Sequence, residues 1–114
     1  MAINSNQKGK KGELELCHKL NERGYECRRS VQYCGGNGDA DIVGLHGIYA
    51  ECKRVEKLNI SKAMEQATDD AINSRFPTVF HRKNSEGWMV TMHLDDWTKL
   101  HRAWEWKENQ GGIE

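Results

Sequence analysis

The chain has 114 residues, 37% of them hydrophobic, and 17 basic residues balance 17 acidic ones. Its mean hydropathy is −0.86. This length predicts one domain, residues 1–114, with a small core. No segment is apolar enough to span a membrane, and the polar, basic start predicts no secretory signal. The four cysteines show no C-x-x-C spacing, which is typical of reduced thiols in a cytoplasmic protein and not of a zinc site.

The charges are distributed unevenly along the chain. Residues 1–33 contain seven Lys or Arg against four Glu, whereas residues 84–114 contain three against six Asp or Glu. Binding to phosphates needs a local positive surface and not a positive total. The neutral total therefore does not exclude a nucleic-acid-binding protein.

Periodicity and turn residues predict elements in the order α-β-β-β-α-β-β-α. A first helix runs from about Lys8 to Arg23 and ends at the C-cap Gly24. A strand follows over Tyr25–Gln32, and the glycine-rich loop at 34–38 precedes a hairpin. The order indicates an α/β protein with a mixed central sheet flanked by helices.

The second half of the chain predicts two more helices around two strands. Ser61 is the predicted N-cap of a helix to about Ser74, and strands follow at 78–82 and 88–92. A last helix opens at residue 95 or 96 and runs to about 107. Its stripe of Trp97, Leu100 and Trp104 predicts core packing, with a dimer interface as the alternative, since tryptophan is enriched in interfaces.

The segment 41–53 predicts a β-hairpin with charged groups on one face. Small or apolar side chains alternate with Asp41, Val43, Tyr49, Glu51 and Lys53. A two-residue turn would pair Asp41 with residue 52, whereas a three-residue turn ending in a left-handed glycine at 47 pairs Asp41 with Glu51. Only the three-residue turn keeps one face apolar on both strands. We therefore expect Asp41 and Glu51 to lie opposite each other, with Cβ atoms about 5 Å apart.

Two carboxylates at this distance repel each other unless a cation lies between them. A divalent ion held by both oxygens would satisfy that requirement. Lys53 alone could also supply a positive charge, and the set would then be a structural salt bridge. The hairpin by itself leaves both interpretations open.

Several motifs in sequence order resemble a known family. They are Lys11-Gly12-Glu13-Leu14-Glu15-Leu16, Leu20-Asn21-Glu22-Arg23-Gly24-Tyr25, Arg29-Ser30, Asp41-Ile42-Val43 and Glu51-Cys52-Lys53. Together they resemble the archaeal-type Holliday-junction resolvases of the PD-(D/E)XK nuclease superfamily. The resemblance covers the first half of the chain well and the second half in outline. Ala40 occupies the proline position of the superfamily pattern, and Asp39 places a second acid beside Asp41.

The resemblance implies a restriction-endonuclease-like core and a Mg²⁺- or Mn²⁺-dependent endodeoxyribonuclease. Asp41, Glu51 and the Cys52 backbone carbonyl would bind the metal, and Glu13 would assist directly or through water. Lys53 would orient the attacking water or neutralise charge on the phosphate. Gln66, in the second helix, matches a glutamine that orients the lysine or the water in related nucleases.

Basic residues near the acids are the candidates for DNA phosphates, with Ser30 as a further phosphate contact implied by the resemblance. The DNA-binding candidates are Lys10, Lys11, Arg28, Arg29, Ser30, Arg54 and Lys57. The resemblance also implies a homodimer, because a four-way junction presents two symmetric strands for cutting. A compact nuclease of this size is typical of a phage or mobile element.

The leading interpretation is a metal-dependent DNA endonuclease, structure-directed and acting on branched DNA. A nickase or another nuclease of the superfamily has the same motifs. A non-catalytic nucleic-acid-binding module on the same fold would bind DNA in a salt-sensitive way without Mg²⁺. A small interaction protein with a solvated charged face would bind neither DNA nor metal.

Overall fold

The structure is a computed structural model that describes residues 5–30, 40–71 and 75–111. The elements are α1 (Ser5–Asn21), β1 (Arg28–Arg29), β2 (Ile42–Val43), β3 (Ile48–Arg54), α2 (Ile60–Asp70), β4 (Phe76–Arg82), β5 (Met89–Met92) and α3 (Leu94–Gly111). The element order predicted from the sequence is confirmed.

One mixed sheet organises the described residues, with its strands in the order β1-β2-β3-β4-β5. Strands β3 and β4 are parallel and are joined through α2, while the other neighbouring pairs are antiparallel. A parallel pair needs such a crossover, because its second strand must start again at the same end of the sheet. The α/β class with a mixed sheet and flanking helices is confirmed.

Two apolar clusters cover the two faces of the sheet. On one face, Leu16 and Cys17 of α1 pack with Ile42, Ala50 and Phe80. On the other face, the side chains of α2 pack on the sheet in a cluster made of Ala40, Tyr49, Ala63, Met64, Ala67 and Val79. Strand β3 is therefore enclosed from both sides.

This enclosure adds to the sequence prediction for the hairpin. Alternation predicted one apolar face that can bury and one face that carries the charged groups. The second face is buried as well at Tyr49, 2% exposed, and at Glu51, 5% exposed, because α2 covers it. Alternation locates the two faces of a strand but does not say whether a second layer covers the polar one.

The predicted register of the hairpin agrees with the structure. Ile42 lies opposite Ala50, which places Asp41 opposite Glu51. The turn is the three-residue loop that ends at Gly47, whose φ of +79° lies in the left-handed region that favours glycine.

The boundaries of α1 and β1 differ from the predictions by a few residues. Helix α1 begins at Ser5 and ends at Asn21, and Gly24, with a φ of +96°, follows its last turn. The Tyr25 amide donates to the Leu20 carbonyl at 3.3 Å and closes that turn. Within the described part of the predicted strand, residues 25–30, β1 covers Arg28–Arg29. The rest of the prediction, residues 31–32, lies outside the described residues.

The N-cap of α2 is Asn59 and not Ser61. Its side-chain oxygen accepts from the Lys62 amide at 3.1 Å, which satisfies one of the free donors of the first turn. Asn and Ser both cap helices well, and the predicted cap lies two residues after the observed one. The helix ends at Asp70, and the predicted end at Ser74 lies outside the described residues.

Helix α3 differs from the other two because its apolar stripe is exposed. Trp97 is 50% exposed, Leu100 40% and Trp104 57%, so the prediction that this stripe belongs to the core is wrong for the single chain. Every side chain from residue 102 to residue 110 is exposed. None of the described helices is both long and apolar enough to cross a membrane.

Candidate active site

The structure brings the two predicted acids together across the hairpin. Asp41 Oδ2 accepts a hydrogen bond from the Cys52 amide at 2.9 Å. The Asp41 amide donates to the Ala50 carbonyl at 3.0 Å, so backbone and side chain are both tied to β3. A side-chain hydrogen bond also joins Asp41 and Glu51. The two carboxyl groups therefore meet at a fixed point on the central strand.

Burial and the neighbouring acid change the ionisation of Glu51. Loss of solvent, and then the charge of Asp41, raise the pKa of Glu51 from 4.5 to about 7, against the opposing effect of Lys53. Two contacting carboxyl groups must share a proton or have a cation between them. This electrostatic property is expected of a carboxylate pair that binds a cation and not of an ordinary surface salt bridge.

Tyr49 and Asp70 also belong to the surroundings of Glu51, and the sequence analysis gave neither a role. Tyr49 is buried on the same face of β3 and is hydrogen-bonded to Glu51, and its own pKa is raised by burial and by that carboxylate. Asp70, at the end of α2, adds negative charge near both. The alternation of β3 indicated the face for Tyr49, whereas Asp70 depends on how α2 packs.

Lys53 is half-buried two residues after Glu51 and so lies on the same face of β3. Its positive charge stabilises the ionised form of Glu51, which lowers the pKa of that carboxyl. The acid–acid–lysine set predicted from the hairpin is thus assembled in space. Its roles in binding and chemistry stay predictions.

Glu13 lies near this set but is held by another residue. Arg29 Nε donates to Glu13 Oε1 at 2.8 Å. Burial and the charge of Asp41 raise the pKa of Glu13, while Arg29 and Lys53 lower it. Glu13, on α1, is therefore close enough for the charges of Asp41 and Lys53 to change its pKa, while its carboxylate forms an ion pair with Arg29 of β1.

A second set of contacts, missed in the sequence, anchors α1 on the sheet. Glu15 Oε1 accepts from Trp88 Nε1 at 3.0 Å and forms an ion pair with Arg82. Gly12 lies against Arg54: a Cβ atom on Gly12 would come within 2.5 Å of Arg54 Cβ. These contacts bring α1 close to the sheet and thereby position Glu13. They span up to 73 residues of sequence, so no local pattern indicated them.

The predicted DNA-binding residues fall into two groups. Lys10, Lys11, Arg28 and Lys57 are exposed. The other three have partners within the chain: Arg29 binds Glu13, Arg54 Nη2 donates to Asn84 at 2.9 Å, and the Ser30 amide donates to the Asp41 carbonyl at 3.0 Å. Four of the predicted cations are therefore accessible to phosphates.

Gln66 is exposed on α2, on the same side of the helix as Ala63 and Asp70. Within the described residues it forms no hydrogen bond with Lys53, Asp41 or Glu51. Its predicted role in orienting the lysine or a water stays a prediction.

The donor set is suited to a hard divalent cation. In the described ranges, no three His, Cys, Asp or Glu side chains converge on one point, and Asp39 lies outside those ranges. Two carboxylates are nevertheless sufficient for Mg²⁺, which is commonly held by one or two carboxylates and retains several waters. The contact between Asp41 and Glu51, together with the raised pKa of Glu51, is the observation that fits a cation bound between the two carboxylates.

Comparison with known proteins supports the fold through a structural likeness at low sequence identity. No family model matches the sequence, and no curated protein matches it. Among solved structures, the chain is similar to Hjc from Archaeoglobus fulgidus, a Holliday junction resolvase from an archaeal hyperthermophile, with a TM-score of 0.53 and 18% sequence identity. The match covers 74% of this chain and 76% of that one. The chain has a resolvase-like fold.

This finding confirms the fold resemblance that the ordered motifs predicted. At 18% identity the likeness concerns the fold, because functions vary widely among proteins of one fold. The activity has to be argued from the residues of this chain.

Proposed function

We propose that the protein is a divalent-metal-dependent DNA endonuclease that hydrolyses phosphodiester bonds, with branched DNA such as a four-way junction as its substrate. The observation that carries the proposal is the buried contact between Asp41 and Glu51 beside Lys53. A resolvase-like fold adds independent support. Glu51 and Lys53 lie on its central strand, β3, and Asp41 directly precedes β2.

In this proposal, Asp41 and Glu51 hold Mg²⁺ or Mn²⁺ through their carboxylate oxygens, with the Cys52 carbonyl and waters as further ligands. The ion would supply polarisation of the scissile phosphate and a lowered pKa for the attacking water. The amide of Cys52 holds the Asp41 carboxylate, and Tyr49 is hydrogen-bonded to that of Glu51. Such second contacts keep ligands in place before the ion binds.

Lys53 acts on the phosphate side of the same face. A compact ammonium can orient the attacking water or neutralise charge that develops on the phosphate. Glu13 supports the site through α1: its ion pair with Arg29 holds β1 against the helix, near the backbone that carries Asp41.

The exposed cations Lys10, Lys11, Arg28 and Lys57 provide contacts to the DNA backbone. Contacts of this kind position a duplex without reading its sequence. They suit an enzyme that recognises the shape of branched DNA. Because a junction presents two symmetric strands, we expect two copies of the chain to act together.

The test is a cleavage assay on labelled four-way junction, nicked, flap and linear duplex DNA in Mg²⁺, Mn²⁺ or EDTA. We expect paired symmetric cuts in the junction that disappear in EDTA and with Asp41→Ala. Metal-dependent cutting of another DNA would keep the nuclease and discard the junction. Tight, salt-sensitive binding with no cutting in any metal would instead identify a non-catalytic module and refute the proposed activity.

A further inference from the structure

One face of α3 carries several large apolar side chains that are exposed in the described chain. Leu94, Trp97, Leu100 and Trp104 lie on this face and are 72%, 50%, 40% and 57% exposed. His101 stacks between the two tryptophans, with ring centroids 4.9 Å from Trp97 and 5.7 Å from Trp104. We call these five residues the α3 stripe. Ordered aromatic rings on a solvent-facing helix are typical of a protein interface.

The α3 stripe continues into a groove on the body of the protein. The groove has a volume of about 610 Å³ and lies between α2 and the end of β5, with Ile60, Met64 and Met92 among its apolar lining. Leu94 lines this groove and also begins the stripe. The two features therefore form one apolar surface.

We propose that this surface is the homodimer interface, and that the α3 helices of two copies pack antiparallel along their stripes. With Trp97 of one copy opposite Trp104 of the other, the two-fold axis passes near His101. The stripe is self-complementary about that point, because the aromatic rings are spaced on either side of it. Each helix is 18 residues long, or about 27 Å, so the stripes can pair along most of their length.

The charges beside the stripe favour this direction of packing. The antiparallel pairing brings Asp96 of one copy near Lys107 of the other, on the same flank, and does so twice in the dimer. It also places Glu108, which lies on the same helix face as the stripe, opposite His93, the residue before the other copy's α3. A parallel pairing would instead set Glu108 against Glu108, which is unfavourable between like charges.

The apolar area of the α3 stripe is too small for a stable dimer by itself, which indicates that the groove belongs to the interface as well. The α3 stripe exposes roughly 400–500 Å² of apolar surface, given that one tryptophan can bury up to about 250 Å². A stable interface needs about 800 Å² from each partner. The stripe alone supplies about half of this, and the distal end of the second copy's helix, which reaches Leu94, covers the groove as well.

The test is sedimentation velocity over a range of protein concentrations, with Trp97→Ala and Trp104→Ala as the disrupting variants. Trp106→Ala is the matched control, because Trp106 is 66% exposed on the other side of the same helix. We expect the wild type to reach twice the 13.1 kDa chain mass. Each stripe variant should raise the dimer dissociation constant at least about 30-fold, and the control by less than about 3-fold.

Charge exchange tests the antiparallel arrangement. Asp96→Lys and Lys107→Asp should each weaken the dimer, and the double variant should restore it. A dimer unaffected by both single changes would refute this arrangement. A wild type that stays monomeric, or a Trp106→Ala effect as large as that of Trp97→Ala, would refute the interface, as would a Trp97→Ala effect confined to DNA affinity.

The interface is separable from the catalytic proposal. The α3 stripe does not include the acids of the hairpin. Glu51→Gln should therefore stop cleavage without changing the mass, whereas Trp97→Ala should change the mass while circular dichroism reports an intact fold. If the wild type dimerises but does not cut DNA, the proposed activity fails and the interface stands.

Discussion

The sheet around β3 (Ile48–Arg54), called the β3 region below, and helix α3 both carry a periodic apolar pattern. The pattern is buried in the β3 region and exposed on α3. In the β3 region, helices α1 and α2 cover both faces of the sheet, and even the charged Glu51 is 5% exposed. In α3, the aromatic stripe has no covering layer within the described chain, and Trp104 is 57% exposed. The β3 region is covered within one chain and can hold two acids in contact. Helix α3 keeps an exposed apolar stripe, which a second copy covers in the proposed dimer.

The largest expected effect concerns the acid pair. Asp41→Ala or Glu51→Gln should reduce cleavage by at least about 10²–10³-fold, because each removes a ligand of the proposed ion and a group that acts in the transition state. Rates under single-turnover conditions provide the measurement.

Glu65→Gln is the matched control for that experiment, since Glu65 is an exposed acid on α2. It should leave the rate within about twofold of wild type. Cleavage that survives the loss of both hairpin acids would show that the chemistry lies elsewhere.

The next prediction compares how much the free energy of unfolding falls for a substitution in the buried β3 region and for one on the α3 stripe. Met64→Ala, in the buried cluster under α2, should cost about 2–5 kcal/mol of unfolding free energy. Leu94→Ala, on the α3 stripe, should cost no more than about 0.5 kcal/mol in dilute protein. Urea denaturation measures both values.

The cost of Leu94→Ala should rise with protein concentration, because only the dimer covers Leu94. A cost that is large already in dilute protein would mean that the single chain buries α3. The comparison between the two regions would then fail.

Two glycines of α1 test how closely this helix packs on the sheet, because Gly12 lies against Arg54 and Gly9 lies in open space. Gly12→Ala should cost about 1–3 kcal/mol and lower the cleavage rate, since the new Cβ would come within 2.5 Å of Arg54 Cβ and push α1, with Glu13, away from the sheet. Gly9 has no atom within 4 Å of such a Cβ, so Gly9→Ala should stabilise the helix by up to about 1 kcal/mol. Equal effects of the two changes on melting and rate would contradict this account of the α1 contact.

The last prediction is a pH dependence of stability in metal-free protein. The pKa of Glu51 is raised from 4.5 to about 7 in the folded chain, so the folded state binds a proton that the unfolded state has lost. Stability from this group is present below pH 4.5 and is lost as the pH rises through about 7.

Melting temperatures at pH 5 and pH 8, in EDTA and in Mg²⁺, measure this effect. The stabilisation by Mg²⁺ should be larger at pH 8, because the ion takes the place of the proton between the two acids. Glu51→Gln should remove the difference between the two pH values. An unchanged difference in that variant would assign the pH dependence to another group.

The sequence predicted the hairpin well because its information is local. Alternation and the glycine at the turn together determined which residue lies opposite Asp41, and the structure has that register. The element order was predictable for the same reason. The family resemblance supplied the fold, which comparison with a solved resolvase supports.

What the sequence did not predict depends on contacts between distant elements. The ion pair between Glu15 and Arg82 joins residues 67 apart, and the burial of Glu51 depends on how α2 packs. The exposure of Trp97 was missed because a stripe with helical spacing looks the same whether it faces a core or a partner. The ion pair between Glu13 on α1 and Arg29 on β1 was not predicted either, because it joins two different elements.

The central claim is that Asp41 and Glu51 form a divalent-cation site. Calorimetric titration of metal-free protein with Mn²⁺ at pH 7.5 tests it most directly, with the Asp41→Asn, Glu51→Gln double variant and Glu65→Gln as the comparison. We predict one ion per chain in the wild type and in Glu65→Gln, and loss of that binding in the double variant. Equal Mn²⁺ binding by the wild type and the double variant would contradict the claim.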